Sequence, residues 1–426
     1  MLKYIRAYPM IVLLLPLVAA ILVWGYLRPD EQSDTEEHTY GFVLRSMPKP
    51  TAKCERFEAK VLPQGEVYLY ILRDSTRTMP VYGDTVVAYT HIERDGRIAR
   101  AFASKYQVLP GHQRPPLQWR LYQRLAAAGL SGDELATVGA LTLGYKDDID
   151  PEIRRHFQAS GAAHVLAVSG LHTGIIYGVL LWILTLGGRF RPLYKNRWGR
   201  WTISLFVITA MWGYAWLTGM TPSVVRAVIM VTIVEIGRMA YRQNVSLNTI
   251  AAAAVLILLA RPTDLWSVSF QLSFAATAAI VIIVNSMGTR IHYRSVRKPI
   301  WGRSLNWIVS LLLVSLAAQI GTLPITLYNF GQFSTYFLLT NLIVLPLATV
   351  LVPCGLITIA LGGSLLGIWI GKLTYALAWL MNHSVGWIES LPGSTVPGHV
   401  NGIMVALYYG VALFSVLLFA YSEKKQ

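Results

Sequence analysis

The chain has 426 residues, of which 54% are hydrophobic and only 14% charged, and its formal net charge is +15 at pH 7; its mean hydropathy is +0.46. A soluble domain of this length carries about a quarter charged residues, so the composition excludes that class and predicts a polytopic α-helical membrane protein. The charge alone fits either a nucleic-acid binder or the basic bias of cytoplasmic loops, and the positions of the charges decide which. The two cysteines, Cys54 and Cys354, fall in a soluble segment and in a membrane span, so neither a disulfide nor a metal site is expected of them.

In chain order, Lys3 and Arg6 precede an apolar run from Tyr8 to Leu27, and the acidic DEQSDTEE follows. The run is long enough to cross a bilayer and is followed by no Ala-x-Ala cleavage site, which makes residues 1–28 a membrane anchor with a cytoplasmic N-terminus. Residues 29–112 change texture. Segments such as Glu66–Leu72 and Thr85–Ile92 alternate with period two between Pro63-Gln-Gly65, Tyr82-Gly-Asp84 and Asp95-Gly96 turns. They predict a small extracytoplasmic all-β, OB-like barrel of about five strands. Tyr68, Tyr70, Arg73, Tyr82 and Tyr89 fit a basic and aromatic face for a single strand, and equally fit ordinary core and surface positions.

Residues 113–161 read as three amphipathic interfacial helices. The first, near Leu117 to Ala128, sets Trp119, Tyr122 and Leu125 against Arg120 and Arg124. The second opens at Ser131 with Glu134 three residues on, a capping box. The third has Asp150 as N-cap and Pro151 at the first position, with Ile153 and Phe157 opposite Arg154 and Arg155. Arg120, Arg124, Arg154 and Arg155 meet lipid headgroups or form a basic mouth to a pore.

Residues 162–422 form the membrane domain, with spans expected near 163–187, 201–217, 222–240, 246–260, 266–287, 305–328, 335–360, 364–390 and 402–421, about ten in all with the anchor. Loop 188–200 carries Arg189, Arg191, Lys195, Arg197 and Arg200, loop 288–303 carries Arg290, Arg294, Arg297, Lys298 and Arg303, and 391–401 has neither Lys nor Arg. Nine spans after the anchor put every basic loop and the terminal Glu-Lys-Lys on the cytoplasmic side, which accounts for most of the charge without a ligand.

The spans contain polar groups and helix breakers that a lipid-facing helix has no use for. The first holds His164, Ser169 and His172, with Gly170, Gly174 and Gly178 at four-residue spacing, a bare face that lets another backbone approach. Thr221-Pro-Ser-Val-Val-Arg226 opens another span with an arginine that either snorkels or faces a cavity. Ser269-Phe-Gln271-Leu-Ser273 places an amide and two hydroxyls within a third. The stretch from Gln319 through Pro324 and Asn329 to Ser334, then Asn341 and Pro346, predicts broken helices, tolerated only where protein or water satisfies the freed backbone.

The segments HVLAVSGLHTGII, TPSVVRAVIM, LLARPTDLWSVSFQLSFAA and AAQIGTLPITLYNFGQFSTYFLLTNLIVLPLA, in this order, resemble the competence domain of the ComEC family of DNA-uptake channels. The β-rich region resembles the OB-like domain that precedes it there. The resemblance implies a multi-pass protein of the bacterial inner membrane, both termini cytoplasmic, that passes transforming DNA as a single strand into the cytoplasm. It implies partners as well: single-stranded DNA, the bilayer, a DNA receptor, a cytoplasmic translocase and a separate nuclease. The family's motifs fall on His164, Ser169, Gly170, His172, Arg226, Gln271, Ser273, Gln319, Pro324 and Asn341. Many members also resemble metallo-β-lactamases at the C-terminal end, through a His-x-His-x-Asp-His motif that the nine histidines here do not form. The expectation is therefore no nuclease within this chain, which is either a short form or a piece of a longer protein, and no cofactor and no metal. No Gly-x-x-x-x-Gly-Lys-Ser/Thr loop is present for ATP, so a partner or a gradient must drive transport.

Two rival readings remain. An exporter of a small or lipidic substrate would use the same spans. An intramembrane hydrolase would use Ser169 with His164 or His172; in an unbroken helix His164 and Ser169 stand about 140° apart, which disfavours that pair.

Overall fold

The computed structural model describes residues 9–27, 37–45, 48–50, 54–61, 65–72, 79–95, 98–111, 116–185, 196–241, 246–292 and 300–422. Arg73, most of the two basic loops and the terminal lysines lie outside the described residues. Two compact units are present, Leu22–Gln123 and Met1–Ile21 with Arg124–Gln426.

The first unit is a single mixed sheet of eight strands, β1 (His38–Leu44), β2 (Lys49–Pro50), β3 (Cys54–Val61), β4 (Gly65–Leu72), β5 (Thr85–Thr90), β6 (Ile92–Asp95), β7 (Ile98–Ala103) and β8 (Tyr106–Leu109). The order is β6-β7-β4-β3-β1-β5-β8, with β2 on β3. About five strands were expected. The excess comes from short strands whose period is too brief to register, and from β5 and β6, separated only by His91. Alternation places Phe42, Leu44, Phe57, Leu69, Ile71 and Val86 in one fully buried core. On the opposite face the parallel β4–β7 pairing sets Tyr70 beside Phe102, ring centroids 4.9 Å apart, while Arg56 lies 5.3 Å over Tyr68. Tyr68 and Tyr70 therefore share a face with Arg56 and Phe102, whereas Tyr89 stands on β5 and Tyr82 in a turn.

The second unit is helical: α1 (Pro9–Leu27, through Ile21), α2 (Leu117–Ala127, from Arg124), α3 (Gly132–Leu143), α4 (Pro151–Ala159), α5 (Ala163–Leu166), α6 (Gly170–Leu184), α7 (Arg197–Leu217), α8 (Pro222–Met239), α9 (Ser246–Ala260), α10 (Val268–His292), α11 (Ile300–Phe330), α12 (Phe337–Leu361), α13 (Leu365–Glu389) and α14 (Gly402–Ser422). A 3₁₀ turn, Pro262–Trp266, joins α9 to α10, and strands β9 (Gln332–Ser334) and β10 (Thr395–Pro397) pair antiparallel between the helices. Two described stretches, Leu305–Phe330 and Phe337–Leu361, are long and apolar enough to cross a membrane by themselves. Parts of α1, α6, α9, α10 and α14 are apolar but shorter. Near α9, Ile21 of α1 packs with Ala254, Ile257, Leu258 and Phe270.

Local sequence signals set α4 as expected: the Asp150 carboxylate accepts from the Glu152 N–H at 2.7 Å, Pro151 takes the first turn, and Phe157 is buried while Arg154 and Arg155 are exposed. The expected capping box at Ser131 does not form, because the Ser131 side chain makes no capping bond. Every residue from Ala136 to Leu143 is buried, and a Cβ on Gly355 of α12 would lie 2.6 Å from Thr142. Thr137 donates to the Asn382 amide oxygen of α13 at 3.0 Å, an internal tie worth about 1 kcal/mol.

Pro324 and Pro346 do not break their helices. Both lie inside continuous α11 and α12, and the chain turns instead at Gly331, whose φ is +65°. Proline removes the N–H that the carbonyl four residues earlier would accept. The Tyr408 hydroxyl replaces it, donating to Ile320 O at 2.9 Å, and Tyr409 donates to Gly321 O at 2.7 Å. At Gly321 a Cβ would meet Ala279 Cβ at 2.6 Å and Ala275 O at 2.7 Å, so α10 and α11 touch backbone to backbone there.

Candidate functional site

The predicted span 163–187 is not one helix. One turn, α5, ends at Ala167 with extended dihedrals, Val168 is buried, and α6 restarts at Gly170 behind an extended Ser169. The restart is written in Ser169-Gly-Leu-His172. The Ser169 N–H donates to His172 Nδ1 at 3.0 Å, an N-terminal backbone group satisfied by the side chain three residues on. The Ser169 hydroxyl lies 3.3 Å from the same nitrogen, and Thr173 Oγ1 donates back to Ser169 O at 3.1 Å. An Nδ1 that accepts a backbone N–H carries no proton, so the neutral ring holds its proton on Nε2. That ring is fully buried and its Nε2 has no partner among the described residues.

Chemically, this arrangement positions the chain at the restart of α6. His172 Nδ1 already serves the backbone, so it is a poor base for the Ser169 hydroxyl. His164 is exposed on α5, its Nδ1 bonded to Gly161 O at 3.1 Å. Gly170, Gly174 and Gly178 form an exposed face. Gly170 sits 3.8 Å, measured from an ideal Cβ, from Ala227 of α8, but nothing stands within 4 Å of Gly174 or Gly178. The close backbone partner expected for the glycine face is absent among the described residues.

Arg226 does not snorkel to the surface. It is buried, and its Nη2 donates to Ser269 O at 2.9 Å and to Ser269 Oγ at 2.8 Å, tying α8 to the first turn of α10. Gln271 donates to Leu265 O at 3.0 Å and so closes the 3₁₀ turn on the same helix. Because Gly170 meets Ala227, the residue after Arg226, the structure brings the α6 restart, Arg226 and Ser269 into one chain of contacts. Ser273 and Gln319 are half-buried and Pro324 buried. Asn341 is buried with its Oδ1 unpartnered among the described residues, next to Thr340, whose hydroxyl donates to Ser160 O at 2.7 Å. Arg120, Arg124, Arg154 and Arg155 are all exposed, and Arg155 lies 3.9 Å from Glu389.

The sequence reading missed the fullest polar network, around Glu235. This carboxylate is completely buried and accepts from Tyr177 (2.5 Å), Ser204 (2.7 Å) and Arg238 (2.8 Å). The Glu235–Arg238 spacing of three on one helix was a legible signal; Tyr177 and Ser204 come from other helices. Among the described residues no group of three His, Cys, Asp or Glu side chains stands ready for a metal ion.

A broken polar helix inside an apolar bundle is a feature of membrane transport proteins, and the comparisons place the chain more narrowly. The competence protein family matches residues 141–422, so the chain belongs to that family. It is 30% identical over 289 residues to ComE operon protein 3 of Bacillus subtilis (strain 168), covering 67% of this chain and 33% of that protein. It is 28% identical over 266 residues to the protein YcaI of Escherichia coli (strain K12), covering 60% of this chain and 34% of the other. An Aquifex aeolicus (strain VF5) protein is 28% identical over 140 residues, covering 33% and 31% of the two chains. The chain thus spans about a third of the length of these relatives. No solved structure matches it. Membership of a competence protein family agrees with the apolar helices described above.

Proposed function

We propose that this chain is an inner-membrane channel that conducts single-stranded DNA into the cytoplasm during natural transformation, and that it performs no catalysis of its own. The observation that carries the reading is the exposed glycine face of α6, where no described residue comes within 4 Å of a Cβ placed at Gly174 or Gly178, beside the half-exposed Ser169 and the exposed His164. A polyanionic strand needs a path free of fixed negative charge, wide enough for any base and lined by groups that bind weakly. A face without side chains at a helix break supplies such a path, and Ser169, Gln271, Ser273, Gln319 and Asn341 supply amides and hydroxyls along the bundle.

In this reading α1 and the nine apolar segments from α6 to α14 give ten spans, with the β unit outside and both termini in the cytoplasm. Exposed Trp182, Trp198, Trp201, Trp216, Trp369 and Trp387, all near helix ends, support a bilayer setting because indole rings favour the interface. In the same reading Arg124, Arg154 and Arg155, all exposed, serve as a basic mouth. The occupied Nδ1 of His172 supports a conducting role over hydrolysis.

The test is transformation frequency in a deletion strain complemented with the native gene or with Gly174→Trp, each checked for membrane level. Restoration by the native gene and loss of uptake with Gly174→Trp at normal abundance is the expected result. Unchanged transformation on deletion in a competent host overturns the channel and favours an exporter.

A further inference from the structure

The end of the bundle where α7 begins and α8 finishes carries more positive charge than its own carboxylates neutralise. Glu235 is matched by Arg238 at 2.8 Å. Arg200, one turn into α7 and only 8% exposed, has no carboxylate partner among the described residues. Its guanidinium carbon sits over Tyr241, 3.3 Å from the ring centroid, and Nη1 reaches Arg238 O at 3.4 Å, while Nε has no acceptor among the described residues. A guanidinium offers five donors; one long bond and a ring face leave most of them to an acceptor from outside the chain. Arg197 adds an exposed charge one turn earlier.

The surroundings identify the acceptor. Trp198, Trp201 and Tyr241 are 77%, 47% and 64% exposed around the arginines, the aromatic composition of a bilayer interface. One to two turns deeper on α7, and level with Glu235 on α8, Leu205, Phe206 and Ile236 are exposed apolar groups. The order along the helices is charge, then aromatic, then hydrocarbon, which is the order along a phospholipid from phosphate to acyl chain. A nucleic-acid strand would need the charges to continue along its backbone, and here apolar side chains follow them.

We propose that Arg197, Arg200 and Arg238, held by Tyr241 and Glu235, form a binding site for the phosphate of an anionic phospholipid headgroup. Arg200 is the specific element, since Arg238 is committed to Glu235. Basic recesses between helix ends on a charged leaflet bind such headgroups by the same chemistry. The site is independent of what the channel conducts.

The test is native mass spectrometry of the full chain in a neutral detergent, with phosphatidylglycerol and phosphatidylcholine added in equal amounts. The expected result is selective retention of phosphatidylglycerol and a loss of about fivefold in Arg200→Gln. If Arg200→Gln does not fold, Tyr241→Leu decides, because it releases the guanidinium without changing charge and should lower retention in the same direction. Equal retention of the two lipids, or selectivity unchanged in the variant that folds, overturns the proposal. So does displacement of phosphatidylglycerol by a thymidine oligonucleotide in an Arg200-dependent manner, which reassigns the site to a strand. Arg200-dependent binding of inorganic phosphate without lipid selectivity overturns it in favour of a free anion.

Discussion

Replacing Gly321 with alanine tests the closest helix contact in the bundle. The added Cβ would stand 2.6 Å from Ala279 Cβ and 2.7 Å from Ala275 O, with Ala275 C at 3.2 Å. Ordinary carbon contacts lie at about 3.5–4.0 Å, so α10 and α11 must part by roughly 1 Å or bend. Forcing a methyl group into a packed interior costs about 1–3 kcal/mol. The obstruction is backbone as well as side chain, so rotamer changes cannot relieve it. Thermal unfolding in detergent, followed by the surviving monodisperse fraction, should show a midpoint lowered by roughly 2–6 °C. Ala279→Gly in the same background removes the nearest atom but leaves the Ala275 carbonyl, and should recover about half of the loss. A Gly321→Ala protein as stable as the native one, or full recovery in the double variant, would refute the argument that the helices meet backbone to backbone.

Tyr408→Phe leaves the Ile320 carbonyl without a donor and should cost about 1–3 kcal/mol; with Pro324→Ala, which restores a helical N–H, the loss should largely vanish in a double-mutant cycle of unfolding midpoints. His172→Ala removes the acceptor for the Ser169 N–H and should destabilise by about 0.5–2 kcal/mol. His172→Gln, which supplies a capping acceptor, should recover most of that stability, and a pattern in which the two substitutions are equally harmful sinks the capping role. Gly161→Ala should lose at least as much, because φ is +87° and the Cβ would meet Ser334 at 3.0 Å; an unchanged melting midpoint contradicts this. A serine-reactive fluorophosphonate should label neither native protein nor Ser169→Ala, and labelling lost in the latter would restore the hydrolase.

The fold was readable wherever apolar period and caps agree. The ends of α7, α8, α9, α12 and α13 lie close to their predicted places, and Asp150-Pro151 opens α4 as read. Inside the spans the same signals misled. Pro324 reads as a break, but its missing donor is supplied by Tyr408, 88 residues beyond the carbonyl that needs it, and no local pattern encodes that. Ser169 reads as a polar residue in a span, and the discontinuity it creates was legible only as a serine followed three residues later by a side-chain acceptor. Arg226 is legible as an arginine inside an apolar span, but its partner Ser269 belongs to another helix. Glu235 was passed over because a carboxylate near a helix end is ordinary; only tertiary structure gathers Tyr177, Ser204 and Arg238 around it.

The paired tyrosines of α14 also bear on how the protein is made. The Ile320 carbonyl, which loses its helical donor to Pro324, has to wait for Tyr408, a residue made 88 positions later. A helix with an open carbonyl beside proline is a temporary state, resolved when α14 docks. Until α14 docks, α11 therefore carries one unpaired backbone carbonyl, and the pairing of these two helices is what closes it.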